Sequence, residues 1–381
     1  MATSHPTPDD PPRTSEVAVI GGGVTGCAVA YLLARRGVGV TVFERDDISS
    51  GASGRNTGIV ATGLTNAAVP ALTAWTLRNR DLLRELDRAW DGCFAFRERG
   101  SLHVLLNEDE WREAAARLDA RRAAGVPVGL LTAEECRARV PLLGPAIVGG
   151  VFNPLGGQLV PYALAFALQR HAARHGARFR TRTPVIGLTR RGDRVTGVTT
   201  PRGATSAAWV VNATNGWAAE VGALAGLAPP IRPTRGQVLV TEPIPARMAP
   251  NVTAGRLEYW RQAPDGQVVM GGGLRADPEV VTTTPAVALA AVTLYSRVIA
   301  GIMPGLRGVR AVRMWAGIMG FTPDEAPLAG AEPAAPGLVT AAGFTGNGMP
   351  LALAVAEAVA CHIAGEAPPL PLAPLSPGRF A

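Results

Sequence analysis

The chain has 381 residues, a formal net charge of +7, 47% hydrophobic residues and 18% charged residues. This is the composition of a globular chain with a sizeable core, long enough for two domains or one large composite. It excludes a membrane span, since the apolar run at residues 351–360 is short and broken by Glu357, and it argues against a nucleic-acid partner, since the arginines are scattered, interleaved with acids and match no such motif.

Residues 1–15 are polar and proline-rich with no apolar h-region, so they are expected to be a disordered arm rather than a signal peptide, and the expected location is cytoplasmic. Residues 17–20 (Val-Ala-Val-Ile) form a short apolar run that predicts a buried parallel strand. Gly21, Gly23 and Gly26 follow as a G-x-G-x-x-G: a sharp turn, a close approach for a pyrophosphate, and tight helix–strand packing. An apolar helix runs to Gly37, a second strand covers residues 38–43, and Glu44 stands at its end to accept hydrogen bonds from a ribose diol. Glycine is common here, at 45 residues, so the motif alone is weak; the order of strand, glycines, helix, strand and acid carries the inference. An acid at this position favours FAD or NAD over NADP.

Residues 48–60 form a second loop of small residues, able to bring backbone amides near a planar ring; its alternative is a flexible surface loop. Further on, helices are expected at residues 72–90, 109–124, 162–175, 284–300 and 351–363, with a capping box Thr132-x-x-Glu135 opening a short helix. Strands are expected at residues 101–106, 148–152, 177–182, 185–189, 194–199, 207–212, 308–318 and 337–341. Between residues 235 and 273, strands at 237–241, 257–261 and 268–271 are separated by Pro and Gly turns, which predicts antiparallel sheet. Cysteines at 27, 93, 136 and 361 are widely spaced, show no zinc pattern and are expected to be reduced and buried; no metal site is expected.

Taken together, four blocks make the chain resemble the FAD-dependent D-amino-acid oxidase / glycine oxidase / sarcosine oxidase (DAO) family over residues 16–366. They are the fingerprint at residues 19–26 with Glu44-Arg45; residues 51–58, with Ala52, Ser53, Arg55, Asn56, Thr57 and Gly58; residues 210–217, with Ala213, Thr214 and Trp217; and Trp315-Ala316-Gly317 with Thr322-Pro323-Asp324 and residues 342–349. The resemblance implies an α/β fold with an α+β second domain: a Rossmann-like FAD-binding domain interleaved with an antiparallel-sheet substrate domain. The expected division is 16–75, 145–220 and 325–366 for FAD, 76–144 and 221–324 for substrate, and 367–381 as a tail. It implies non-covalent FAD, held by Gly21, Gly23, Val24, Thr25, Gly26, Glu44, Arg45, Ala52, Ser53, Arg55, Asn56, Thr57, Gly58, Val185, Ala213, Thr214, Trp217, Gly317, Gly343, Thr345, Gly346, Asn347, Gly348 and Met349. NAD is disfavoured independently, because the run at residues 271–276 lacks a third glycine.

The implied reaction oxidises a C–N bond of an amine or amino acid: glycine-like, N-substituted glycine or D-amino acid. Hydride passes to flavin N5, and electrons go to O2 or to a carrier. Glycine-oxidase-like members hold the substrate carboxylate with an Arg where this chain has Met319, and sarcosine oxidases have a Lys where it has Pro350. Tyr259 and Arg261 are therefore the expected pocket residues beside Met319, with Arg55 and Arg235 as further cations. Two other readings stay open: a flavin-binding subunit without turnover, and a nicotinamide-dependent dehydrogenase. None of the five histidines receives a catalytic role.

Overall fold

A computed structural model describes residues 11–63, 72–245, 248–255, 258–272 and 286–380. The expected arm up to residue 10, Leu257, residues 273–276 and the helix start at 284–285 lie outside the described residues.

The strand Thr14–Ile20 is the centre of the first sheet. It pairs in parallel with Val40–Phe43 on one side and Gly203–Asn212 on the other. Arg178–Arg180 and Leu338–Ala342 extend the sheet in parallel at either flank. Arg194–Thr200, Gly187–Arg191 and Leu328–Ala331 add antiparallel strands. Alternate residues of the central strands enter different clusters: Val17 and Val19 pack with the helices Val24–Ala34, Pro161–Arg174 and Gly348–Ala364, while Ala18 and Ile20 pack with Val210, Val221 and Leu338. Burial on both faces is why these strands are continuous apolar runs rather than alternating ones.

The second sheet runs Ala311–Phe321, Arg232–Pro243, Gln267–Gly271, Glu258–Gln262, Asn251–Ala254, Ser101–Leu105, Gly149–Asn153, Gly129–Thr132. It is antiparallel except where Asn251–Ala254 meets Ser101–Leu105 in parallel. Those two strands come from distant stretches of chain and need no hairpin between them. Helix Leu289–Ile302 covers one face, with Tyr295 packed in the same cluster as Trp260, Met270 and Leu102. No described helix is long and apolar enough to cross a membrane.

Three expectations need correction. The helix expected at 109–124 is two, Glu108–Ala116 and Leu118–Ala123, interrupted at Arg117 with φ −98° and ψ −5°. Cys93 is exposed, while Cys27, Cys136 and Cys361 are buried. Thr14 and Ser15, expected in the arm, belong to the first strand, and the Arg13 carbonyl accepts from Ser206 N–H at 2.9 Å. The capping box at Thr132 and Glu135 is formed in both directions, at 3.2 and 2.8 Å. Beyond residue 366 the chain makes short 3-10 turns, and Arg379 clamps Asp324 at 2.8 and 3.0 Å.

Candidate active site

One cavity of about 780 Å³ is lined by residues from both sheets and by the loops that leave the parallel strands at their carboxyl ends. At one end, Gly21 turns out of the first strand at φ +110°, a conformation that suits glycine. A Cβ on Gly26 would lie 2.0 Å from the Gly21 carbonyl oxygen, so the first helix can sit this close only with glycine there. Glu44 accepts from Gly22 N–H at 2.6 Å and from Asp46 N–H at 2.9 Å, which fixes its carboxylate on the cavity wall. Ser53 Oγ accepts from Val24 N–H at 2.9 Å and ties the 51–58 loop to the start of the helix. Asn56 folds that loop on itself, donating to the Ala52 and Ser53 carbonyls and accepting from Gly58 N–H. Farther along the wall the Arg45 guanidinium stacks on Trp217, 4.1 Å from the ring centroid.

Deeper in, residues 343–348 turn into helix Gly348–Ala364, whose first residues line the cavity. Asn215 Oδ1 accepts from Gly343 and Phe344 N–H at 3.1 and 3.2 Å and holds this turn. Asn79, fully buried on the neighbouring helix Leu72–Ala89, reaches into the C-terminal helix itself. Its Nδ2 donates to the Met349 carbonyl at 2.9 Å, and its Oδ1 accepts from Leu353 N–H at 2.8 Å.

The second sheet makes the remaining wall. His103, Thr253, Tyr259 and Gly271 occupy one register row across four strands, so their side-chain positions share a face. A Cβ on Gly271 would lie 2.4 Å from the Tyr259 ring, and one on Gly236 would lie 2.7 Å from Met319 Cε. The glycines let Tyr259 and Met319 lie flat against the sheet. His103 Nδ1 is 2.9 Å from Thr253 Oγ1. Burial lowers the His103 pKa, Glu110 opposes that shift, and Arg121 adds to it, so the ring is neutral near pH 7.

Of the residues expected from the sequence, every FAD candidate lines this cavity except Gly26, Gly58 and Gly343. Those three serve packing: at Gly58, with φ +78°, a Cβ would lie 2.2 Å from the Leu159 carbonyl oxygen, and at Gly343 it would lie 2.7 Å from Thr322 Cγ2. Tyr259 and Met319 line the cavity; Arg261 does not. Arg261 is buried, its Nε donates to the Thr57 carbonyl, and desolvation pushes its pKa down to about 10. Its guanidinium is thus committed to the 51–58 loop rather than presented to a substrate. Arg55 and Arg235 do line the cavity, with hydrogen bonds to the Ala316 and Ala286 carbonyls at 3.2 and 2.8 Å. Asn79, His103 and Thr253 had no signal in the sequence, because each acts across strands or helices far apart in the chain; Asn215 lies within the 210–217 block but was not singled out there. Among the described residues no group of His, Cys, Asp and Glu could hold a metal.

These residues fit a flavin dinucleotide. Glycines bring backbone close at the fingerprint, the space beside Gly348 at the helix start is open to 4 Å, and the buried Trp217 Nε1 on the cavity wall has no hydrogen-bond partner within the protein.

The FAD-dependent oxidoreductase model DAO matches residues 16–362. Glycine oxidase from Geobacillus kaustophilus is 30% identical over 379 residues, covering 95% of this chain and 96% of the relative. Dimethylglycine dehydrogenase from Rattus norvegicus is 26% identical; it covers 99% of this chain, which spans 46% of that longer protein. Among solved structures, L-proline dehydrogenase from P. horikoshii superposes with a TM-score of 0.90 at 30% identity, covering 97% of this chain and 98% of that one. Glycine oxidase from Geobacillus kaustophilus follows with 0.88 at 26% identity, covering 96% and 98%.

Proposed function

We propose a reaction from one premise: the chain belongs to the DAO family of FAD-dependent oxidoreductases. It oxidises a C–N bond of an amine or amino acid, with a glycine-like, N-substituted glycine, cyclic secondary or D-amino acid as substrate, to an imine that water hydrolyses to the oxo product. The observation that carries this reading is the single cavity joining the dinucleotide fingerprint to Met319, Tyr259 and His103 on the second sheet. Bound FAD supplies the two-electron acceptor for the hydride of the substrate α-carbon.

The protein's share is binding, orientation and electrostatics. Gly21, Gly23 and the start of the first helix would offer amides to a pyrophosphate, and Glu44 would accept from a ribose. Residues 345–349 bring a turn and a helix N-terminus to the opposite end, where negative charge is favoured. Tyr259, Met319, Thr253 and His103 form the wall against which the substrate is oriented. None of the four cysteines lines the cavity, which supports non-covalent flavin. A cytoplasmic location is consistent with four free thiols.

A second reading concerns the acceptor. The sequence contains no lysine, so the group that sarcosine oxidases use to activate O2 has no counterpart here. That absence favours delivery of electrons to a quinone or carrier protein. An anaerobic screen of amines and amino acids, read by bleaching of the flavin's visible absorbance, tests the reaction; no bleaching with any of them refutes it. Stopped-flow reoxidation in air then separates the acceptors, slow reoxidation over minutes ruling out an efficient oxidase.

A further inference from the structure

His103 combines three properties that no other described residue shares. It lines the cavity, its ring is oriented by a side-chain partner on the neighbouring strand, and the ring is a base of suitable strength at neutral pH. With the proton on Nδ1, the ring donates to Thr253 Oγ1 and keeps a lone pair on Nε2. Amines carry a proton at neutral pH, and an ammonium has no lone pair to support loss of hydride from the adjacent carbon. Some group must remove that proton. In the same register row, Thr253 and Tyr259 carry hydroxyls, which donate hydrogen bonds but are poor proton acceptors.

We propose that His103 is the catalytic base that accepts the ammonium proton of the bound substrate. This rests on the reading of the protein as an amine oxidoreductase. The N–H bond of the ammonium breaks, its electron pair stays on the substrate nitrogen, and the proton passes to His103 Nε2. The resulting imidazolium returns the proton to water when product leaves. The groups around the ring on the elements packed against it are Thr253 from strand Asn251–Ala254, apolar Val151 from Gly149–Asn153, Glu110 from helix Glu108–Ala116 and Arg121 from helix Leu118–Ala123. Glu110 favours the imidazolium and Arg121 disfavours it. Burial also disfavours it, so the ring is unprotonated and ready at neutral pH, and its competence is lost as pH falls through its pKa.

The test compares holoenzyme wild type with His103→Asn. An Asn amide can reproduce the Nδ1 bond to Thr253 but has no group at Nε2. His103→Gln is the second variant and Glu258→Gln the comparison, since Glu258 also lines the cavity. Anaerobic flavin bleaching is followed from pH 5 to pH 10 with glycine, N-methylglycine, L-proline and D-alanine as probes. The expected result is a rate for His103→Asn at least about tenfold lower at pH 7, with the acid limb displaced upward by about one unit or more toward the amine's own pKa. Glu258→Gln should leave that limb in place. Bleaching with an unmoved limb in His103→Asn and His103→Gln overturns the inference while leaving the reaction intact, as does a limb that moves in Glu258→Gln alone. Loss of flavin binding in both His103 variants assigns the ring a structural role and also overturns it. No bleaching of wild type with any probe overturns the reaction and this inference together.

Discussion

Asn79 offers the sharpest test of how the flavin end of the cavity is held. Its Nδ2 donates to Met349 C=O and its Oδ1 accepts from Leu353 N–H, both within the helix Gly348–Ala364, and Oδ1 lies 3.4 Å from Ala354 N–H. It is fully buried. Asn79→Ala removes these hydrogen bonds and leaves a small void between helices Leu72–Ala89 and Gly348–Ala364. Buried groups left without partners cost roughly 1–3 kcal/mol each. Hydrogen bonding within the helix offsets part of this, which leaves a net loss of about 2–3 kcal/mol. Asn79→Asp should cost more, because a carboxylate cannot donate to Met349 C=O and is buried as a charge. Urea unfolding of the three proteins, followed by tryptophan fluorescence, measures both differences. Asn79→Ala within about 0.5 kcal/mol of wild type would show that the helix closes its own turn without help, and the argument would fail.

Glu44→Ala should weaken FAD binding about tenfold to a hundredfold, the worth of one or two charge-assisted hydrogen bonds, as read by titration of apoprotein with flavin. Arg261→Ala should lower unfolding stability by about 2 kcal/mol through the stranded Thr57 carbonyl, while KM for an amino-acid substrate stays within about threefold of wild type; a larger rise in KM would return Arg261 to the substrate. Asp324 is pushed up by burial, but the Arg379 hydrogen bonds, the Ala326 N–H and the Arg379 charge outweigh this and hold its pKa below the usual value. Its contribution is therefore complete above the unfolded-state pKa of about 3.9 and is lost as pH falls through the lower folded value. Arg379→Ala should cost about 1–3 kcal/mol at pH 6 and less at pH 3, measured as Tm across that range; an equal cost at both pH values would refute the coupling.

The fingerprint half of the cavity was legible because its pattern is local. Gly21, Gly23 and Gly26 state their purpose within six residues, and the 51–58 and 343–348 turns are marked by small residues. The capping box at Thr132 works for the same reason, with both partners inside one helical turn. The substrate half depends on register. His103 meets Thr253 across 150 residues, and Arg261 meets Thr57 across 204. Nothing in a strand's own sequence says which residue will lie opposite. Arg261 alternates correctly with Tyr259 and carries the right charge, so its sequence position pointed to the pocket, yet a backbone carbonyl from the other half of the molecule claims it. The interrupted helix at Arg117 hid differently: Trp111, Ala114 and Leu118 all reach one cluster, so the helical period continues through the break.

Met319 can be understood from the wall around it. Gly236 and Gly317 form a register pair on adjacent strands, and Gly271 lies two residues along the same face. A Cβ on Gly236 would strike Met319, one on Gly271 would strike Tyr259, and one on Gly317 would come within 3.0 Å of Arg55 Cβ. Each glycine is occupied by a neighbour's side chain folded down onto it. A long side chain at 319 therefore lies along the sheet instead of projecting from it, and a thioether suits that place because it is flexible and needs no hydrogen-bond partner. A guanidinium laid flat there would be taken out of water without an acid in the register row to pair with, at a cost that only a bound carboxylate could offset. The absence of Arg at 319 thus fits the proposed reading, in which this wall would orient a substrate by shape and by the hydrogen-bonding groups of Tyr259, Thr253 and His103. On that proposed reading, the cations left to meet a substrate carboxylate are Arg45, Arg55 and Arg235, which line the same cavity.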